Sequence, residues 1–130
     1  MIINNRMETI LIQETDRSIL DILTIALQME GFDVFAMLAD DQYFMDKIEE
    51  TRPHVVLLDF RLDGQICIDM CRLIKNKYPH LPVLALSCNT NIDVVYDRYG
   101  FDGYIKKPFD IDQLYRILRK HMIKPEDAVV

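Results

Sequence analysis

The chain has 130 residues, half of them hydrophobic and 28% charged, with a formal net charge of −6. That length makes one domain, which buries roughly two-thirds of its unfolded surface without help from disulfides, and the composition excludes disorder. An acidic balance argues against a dedicated nucleic-acid surface, no apolar run approaches the ~18 residues of a membrane span, and three Cys behind a start without a signal-peptide core, MIINNRMETI, predict a reducing cytoplasm.

Residues 1–8 read as an N-terminal extension. Thr9–Glu14 holds the apolar run Ile10–Ile12 and predicts a buried strand. Asp16–Met29 carries Ile19, Leu23, Ala26 and Leu27 at helical spacing, with Gly31 just beyond as a stop. Phe32–Ala36 is a second strand, and Asp40–Glu50 a helix with Phe44, Met45 and Ile48 on one face, ended by Pro53. Val55–Leu58 (VVLL) is the strongest strand signal and is closed by Asp59. An Asp63–Gly64 turn leads into a helix over Ile66–Lys77. Pro79 and Pro82 bracket a loop before the strand Val83–Leu86, which ends at Ser87. A short helix over Asn91–Tyr99 stops at Gly100, and Asp102–Ile105 is a weak fifth strand. Asp110–His121 is a helix with Ile111, Leu114, Ile117 and Leu118 inward, opened by a capping-box pattern of Asp110 and Gln113. The domain therefore spans 9–121, and 122–130 reads as a frayed tail.

Five strands alternate with five helices, and the strands are apolar throughout. Strands buried on both faces belong to a parallel sheet covered by helices, a doubly wound α/β fold. In such a fold the functional site lies beyond the carboxyl ends of the strands. The residues there are Glu14, Thr15 and Asp16; Asp59; Ser87, Cys88 and Asn89; and Lys106, Lys107 and Pro108. Crowded carboxylates require a cation, and oxygen ligands favour Mg²⁺ or Mn²⁺. A lysine beside a carboxylate and a hydroxyl suits the oxygens of a phosphoryl group, so the chemistry indicated is phosphoryl transfer to a carboxylate.

These motifs resemble those of response-regulator receiver domains, the phosphoacceptor modules of two-component signalling, over about residues 9–121. VVLLD resembles the strand that ends in the phosphoacceptor, which places that role on Asp59. PVLALS resembles the strand ending in the switch hydroxyl, here Ser87. GFDGYIKKPF places the switch aromatic at Tyr104, the phosphoryl-binding lysine at Lys107 and, after a cis peptide, Pro108. The resemblance implies a metal site of Glu14, Asp59 and the Arg61 backbone carbonyl, with Thr15 or Asp16 as the remaining ligand. It also implies a histidine kinase or phosphotransfer protein as donor and a downstream protein as target, without direct contact to nucleic acid or membrane. The chain is then a flavodoxin-like signalling switch rather than an enzyme.

The pattern is broken at one point. Receivers usually carry two adjacent acidic residues after the first strand, and here these positions are Glu14 and Thr15. Thr15 stands where the direct metal ligand is expected, so weak Mg²⁺ binding follows. Asp16 would start the helix and serve as its N-cap. Cys67 occupies a position where receivers often have glycine. Arg61 and Asn89, each two residues past a site residue, flank the phosphoryl pocket in receivers. The main alternative is a degenerate receiver that binds partners without phosphorylation. An aspartate-nucleophile phosphatase would need an Asp where Arg61 stands, and a flavin or dinucleotide domain would need glycines that ETDRS lacks. Cys67, Cys71 and Cys88 read as packing residues, and His54, His80 and His121 have no evident chemical partner.

Overall fold

The computed structural model describes residues 7–38, 43–61 and 64–122. Residues 1–6 of the 1–8 extension, the helix start at Asp40, Asp63 of the predicted turn and residues 123–130 of the 122–130 tail lie outside these residues. The elements run β1 (Thr9–Gln13), α1 (Arg17–Met29), β2 (Asp33–Met37), α2 (Phe44–Thr51), β3 (Val55–Phe60), α3 (Gln65–Lys77), β4 (Val83–Ser87), α4 (Ile92–Val95), β5 (Gly103–Lys106) and α5 (Ile111–His121). They form one parallel five-stranded sheet in the order β2-β1-β3-β4-β5, the predicted α/β class.

Alternation of side chains along each strand divides the core in two. Ile10 and Ile12 of β1, Val55 and Leu57 of β3, and Leu84 and Leu86 of β4 pack against Leu20, Leu23 and Leu27 of α1 and Leu114 and Leu118 of α5. Leu11, Val56, Leu58, Val83 and Ala85 point the other way, onto Phe44 and Ile48 of α2, Ile68, Cys71 and Ile74 of α3, and Ile92 of α4. Both faces are covered, which explains why these strands read as unbroken apolar runs. Parity also aims the strand ends. Asp59 continues the register of Val55 and Leu57, and Glu14 that of Ile10 and Ile12, so both carboxylates belong to the α1/α5 side. Ser87 continues Val83 and Ala85 and belongs to the other.

The helices keep their predicted places with local shifts. Asp16 is the N-cap of α1: its Oδ1 accepts from the Ser18 and Ile19 amides at 2.9 and 3.2 Å. Leu20 rather than Ile19 takes the fully buried position of the first turn. In α5, Ile111 is 40% exposed rather than inward, while Tyr115 reaches inward and donates to the Ala26 carbonyl at 2.8 Å. The α5 cap is a two-residue bond, Asp110 Oδ1 accepting from the Asp112 amide at 2.9 Å, rather than a reciprocal box with Gln113. The predicted Asn91–Tyr99 helix contracts to Ile92–Val95, followed by turns up to Gly100.

Gly64 precedes α3 at φ 73°, and the Phe60 ring lies 2.2 Å from where a Cβ would stand. That ring is stacked on Tyr99 at 5.7 Å and set edge-on to Phe101 at 6.0 Å, so a shift to make room would disturb both contacts. Gly64→Ala combines a left-handed backbone penalty with overpacking and is expected to cost about 2–4 kcal/mol of stability, measured by chemical denaturation. A loss below about 0.5 kcal/mol would mean that the ring and turn relax freely.

Candidate functional site

The strand order reverses between β1 and β3, and this crevice is where a doubly wound sheet offers a site. The Glu14 residue is 0% exposed and Asp59 5%. Lys107 Nζ donates to Glu14 Oε1 at 2.9 Å and to Asp59 Oδ1 at 2.8 Å, bridging residues 93 and 48 positions away in the chain. The Lys107–Pro108 peptide is cis, and the Lys107 amide donates to the Ser87 carbonyl at 2.8 Å, which seats the lysine at the end of β4.

The remaining carboxylate oxygens are also engaged. Glu14 Oε2 accepts from the Asp16 amide at 2.9 Å. Asp59 Oδ2 accepts from the Thr15 hydroxyl at 2.7 Å and more weakly from the Thr15 amide at 3.3 Å. Thr15 Oγ1 in turn accepts from Arg61 Nη1 at 2.7 Å. Gln13 Oε1 accepts from the Asp59 amide at 3.3 Å and braces the end of β3 from below.

Burial raises the Glu14 carboxyl above its ordinary range, outweighing the Asp16 amide and the Lys107 ammonium. Burial pushes Asp59 the same way, but its bonds from Lys107 and Thr15 outweigh it and hold this carboxyl below its ordinary range. Burial pulls Lys107 down, and its bonds to Asp59 and Glu14 carry it above the usual lysine value. Lys107 thus stands as an ammonium between the two acidic groups, of which Asp59 is the more acidic. An ionised carboxylate ending a central strand, next to a lysine that also suits phosphoryl oxygens, is equipped to act as a nucleophile.

The donors fit a resident divalent ion poorly. Among the described residues no three His, Cys, Asp or Glu side chains form a metal-holding cluster. Asp16 is spent on the α1 cap, Thr15 donates its proton to Asp59, and the Arg61 carbonyl accepts from the Gly64 amide at 2.6 Å.

Other predicted residues stand apart from the carboxylates. Ser87 is fully buried, and its Oγ accepts from the Asn89 amide at 2.9 Å. Tyr104 is half-buried with its ring 5.0 Å from that of Tyr96. Cys67 and Cys71 are buried, and burial, with Asp102 nearby, pushes the Cys71 thiol up to about 12. Cys88 is exposed rather than core filling, because the chain has already left β4. His54 does have a partner: its Nδ1 accepts from the Thr9 amide at 2.9 Å, tying the start of β1 to that of β3. Burial lowers the His121 pKa, helped by Lys120, which works against a cationic role at the end of α5. Gln13 escaped sequence reasoning, as did the bond from Arg61 to Thr15, although Arg61 itself was expected to flank the pocket. Gln13 left one signal, a polar residue inside an otherwise apolar strand.

A sequence profile for the response regulator receiver domain matches residues 10–119. The chain is 35% identical over 122 residues to the DNA-binding response regulator MtrA of Mycolicibacterium smegmatis and, equally, to that of Mycobacterium tuberculosis, covering 92% of this chain and 53% of theirs. It therefore spans about half the length of these curated relatives. Among solved structures, NtrX from Brucella abortus is 28% identical with a TM-score of 0.76, covering 89% of this chain and 27% of that one. The chemotaxis response regulator CheY4 of Vibrio cholerae, 21% identical, shares the fold with a TM-score of 0.78 over 90% of this chain and 100% of its own. With the matched profile spanning both carboxylates and Lys107, the chain belongs to the response regulator receiver domain family.

Proposed function

We propose that Asp59 accepts a phosphoryl group from a phosphohistidine of a histidine kinase or phosphotransfer protein. The observation that carries this reading is the Lys107 ammonium bridging Asp59 and Glu14 at the switch point of the sheet. An Asp59 carboxylate oxygen attacks phosphorus, the P–N bond breaks, an acyl phosphate forms, and the imidazole leaves with a proton. Lys107 then pairs with a phosphoryl oxygen. The Ser87 hydroxyl leaves the Asn89 amide for the phosphoryl group, and Tyr104 moves from Tyr96 to follow it. That movement changes the surface of α4, β5 and α5 for a downstream protein. The switching unit is residues 9–121, and the uptake is stoichiometric, as suits a signal rather than a turnover enzyme. A cytoplasmic setting accords with three free thiols, and among the described residues no helix is long and apolar enough to cross a membrane.

Receiver domains generally bind Mg²⁺ for phosphorylation; here Mg²⁺ binds weakly, for want of a third carboxylate. Thr15→Asp supplies it. The variant is expected to bind Mg²⁺ about 5- to 30-fold more tightly, or about 1–2 kcal/mol, and to label faster at fixed Mg²⁺. Calorimetric titration checks the first and a labelling time course the second; no change in either would mean that Glu14 or Asp16 already completes the ligand set.

A second reading has its own support. The Asp59 side chain is 1% exposed and engaged by Lys107 and Thr15, as suits a phosphorylation-independent binding module. Incubation with a small phosphodonor followed by intact mass and peptide mapping separates the two. A single phosphoryl adduct on Asp59 supports the phosphoacceptor; no adduct under any metal condition leaves the binding module.

A further inference from the structure

We infer that the Arg61 side chain, acting through Thr15, replaces the divalent cation in this pocket, an inference that rests on Asp59 being the acceptor. The pocket holds two carboxylates, Glu14 and Asp59, and two cations, Lys107 and Arg61, so its formal charge is zero. A third carboxylate would leave it negative and in need of a metal; Thr15 removes that charge and Arg61 supplies a positive one.

The hydrogen-bond directions are consistent with one function. A hydroxyl has a single proton, and Thr15 gives it to Asp59 Oδ2 at 2.7 Å. Its lone pairs are left to accept, and Arg61 Nη1 takes one at 2.7 Å. The guanidinium thus polarises the Thr15 hydroxyl toward the acceptor carboxylate, and the two bonds strengthen each other. Among the described residues Arg61 makes no ion pair with an acidic side chain, and its guanidinium is bonded to the Thr15 hydroxyl. It lies two residues past Asp59 and is exposed, free to swing aside for an incoming donor. After transfer, the phosphoryl oxygens offer the guanidinium a bidentate partner that the single Thr15 oxygen is not. A divalent ion entering the same space meets the Lys107 ammonium and the Arg61 guanidinium, and carboxylate oxygens that each already accept a hydrogen bond.

The test uses the intact chain and Arg61→Met, whose side chain keeps apolar bulk without charge at an exposed position. Mg²⁺ is titrated against each while the backbone amide resonances of Glu14, Thr15, Asp59 and Arg61 are followed. The wild type is expected to show no saturation below about 10 mM Mg²⁺, and Arg61→Met to bind about tenfold more tightly, because the pocket has become negative. Labelling by a small phosphodonor is measured in parallel, in EDTA and in Mg²⁺. Wild-type rates should differ by no more than about threefold between the two, and Arg61→Met should slow about tenfold or more in EDTA and partly recover with Mg²⁺. Equal Mg²⁺ affinity in the two proteins, sub-millimolar saturation of the wild type, or wild-type labelling that vanishes in EDTA would each overturn the inference. Absence of label in every condition would remove Asp59 as the acceptor instead; the titration still decides whether Arg61 holds the cation's place.

Discussion

Asp59→Asn is expected to gain no mass from a phosphodonor that adds one phosphoryl group to the wild-type chain. The substitution keeps shape and removes charge. In the proposed transfer a carboxylate oxygen is the nucleophile, and a neutral amide oxygen at the same place, without the negative charge, is a far poorer one. The environment is tuned to the ionised form, since Lys107 and Thr15 both donate to Asp59 and hold its carboxyl low. Asparagine has one acceptor oxygen for these two donors, so its amide nitrogen faces either the ammonium or the hydroxyl. The variant should therefore lose labelling completely and some stability as well. The sign of the latter follows from the depressed pKa: Asp59 stabilises the fold above its unfolded pKa, and this is lost as pH falls through the lower folded value. The stability gap between wild type and variant should be open at neutral pH and close on acidification. Intact mass reads the first result and denaturation at several pH values the second. Equal labelling of the variant would move the acceptor to another carboxylate, with Glu14 and Asp16 next to be mapped.

Lys107→Met carries the largest expected loss of stability. Its ammonium compensates two carboxylates at once, and its side chain is 9% exposed against 0% for Glu14 and 1% for Asp59. Removing one partner of a buried ion pair costs about 3–5 kcal/mol, because the remaining charge is left desolvated. Relief is available through Glu14, whose carboxyl burial already pushes up and which loses an opposing cation in the variant. A carboxyl with a raised folded pKa stabilises the fold while protonated, and that contribution is lost as pH rises through the folded value. The deficit of the variant should therefore be larger at alkaline than at mildly acidic pH, as Glu14 takes up a proton. Urea denaturation of both proteins under the two conditions measures it. A deficit below about 1 kcal/mol, or one flat with pH, would show that water or a rearranged Arg61 compensates the pair. Lys107→Arg should recover only part of the loss, since a planar fork does not bridge two oxygens as a compact ammonium does.

The strands and most helix faces were legible in the chain because their signal is local. Val55–Leu58 could only be a strand buried on both sides, and it is. Leu23, Ala26 and Leu27 share a helix face by spacing alone, and all three are buried. Errors fell where an element ends. Cys88 lies one residue beyond β4 and is exposed, Ile111 in the first turn of α5 is 40% exposed, and the helix expected over Asn91–Tyr99 keeps one turn. Apolar character says that a residue is worth burying, but at a terminus the neighbouring elements decide whether there is anything to bury it against.

The candidate site divides along the same line. Strand alternation and the order of the motifs bring Glu14, Asp59 and Lys107 to one edge of a parallel sheet, and this much the amino-acid sequence determined by itself. The fate of each polar atom there was decided only by the tertiary structure. Thr15 appeared as a missing ligand and is a hydroxyl bridge between Arg61 and Asp59. Ser87 appeared as a hydroxyl at the same sheet edge, and its Oγ accepts from the Asn89 amide two residues on. Periodicity is set by neighbours along the backbone, whereas a hydrogen bond between residues 44 or 46 apart depends on how two strands and a loop converge in space. A one-dimensional pattern holds no record of that convergence.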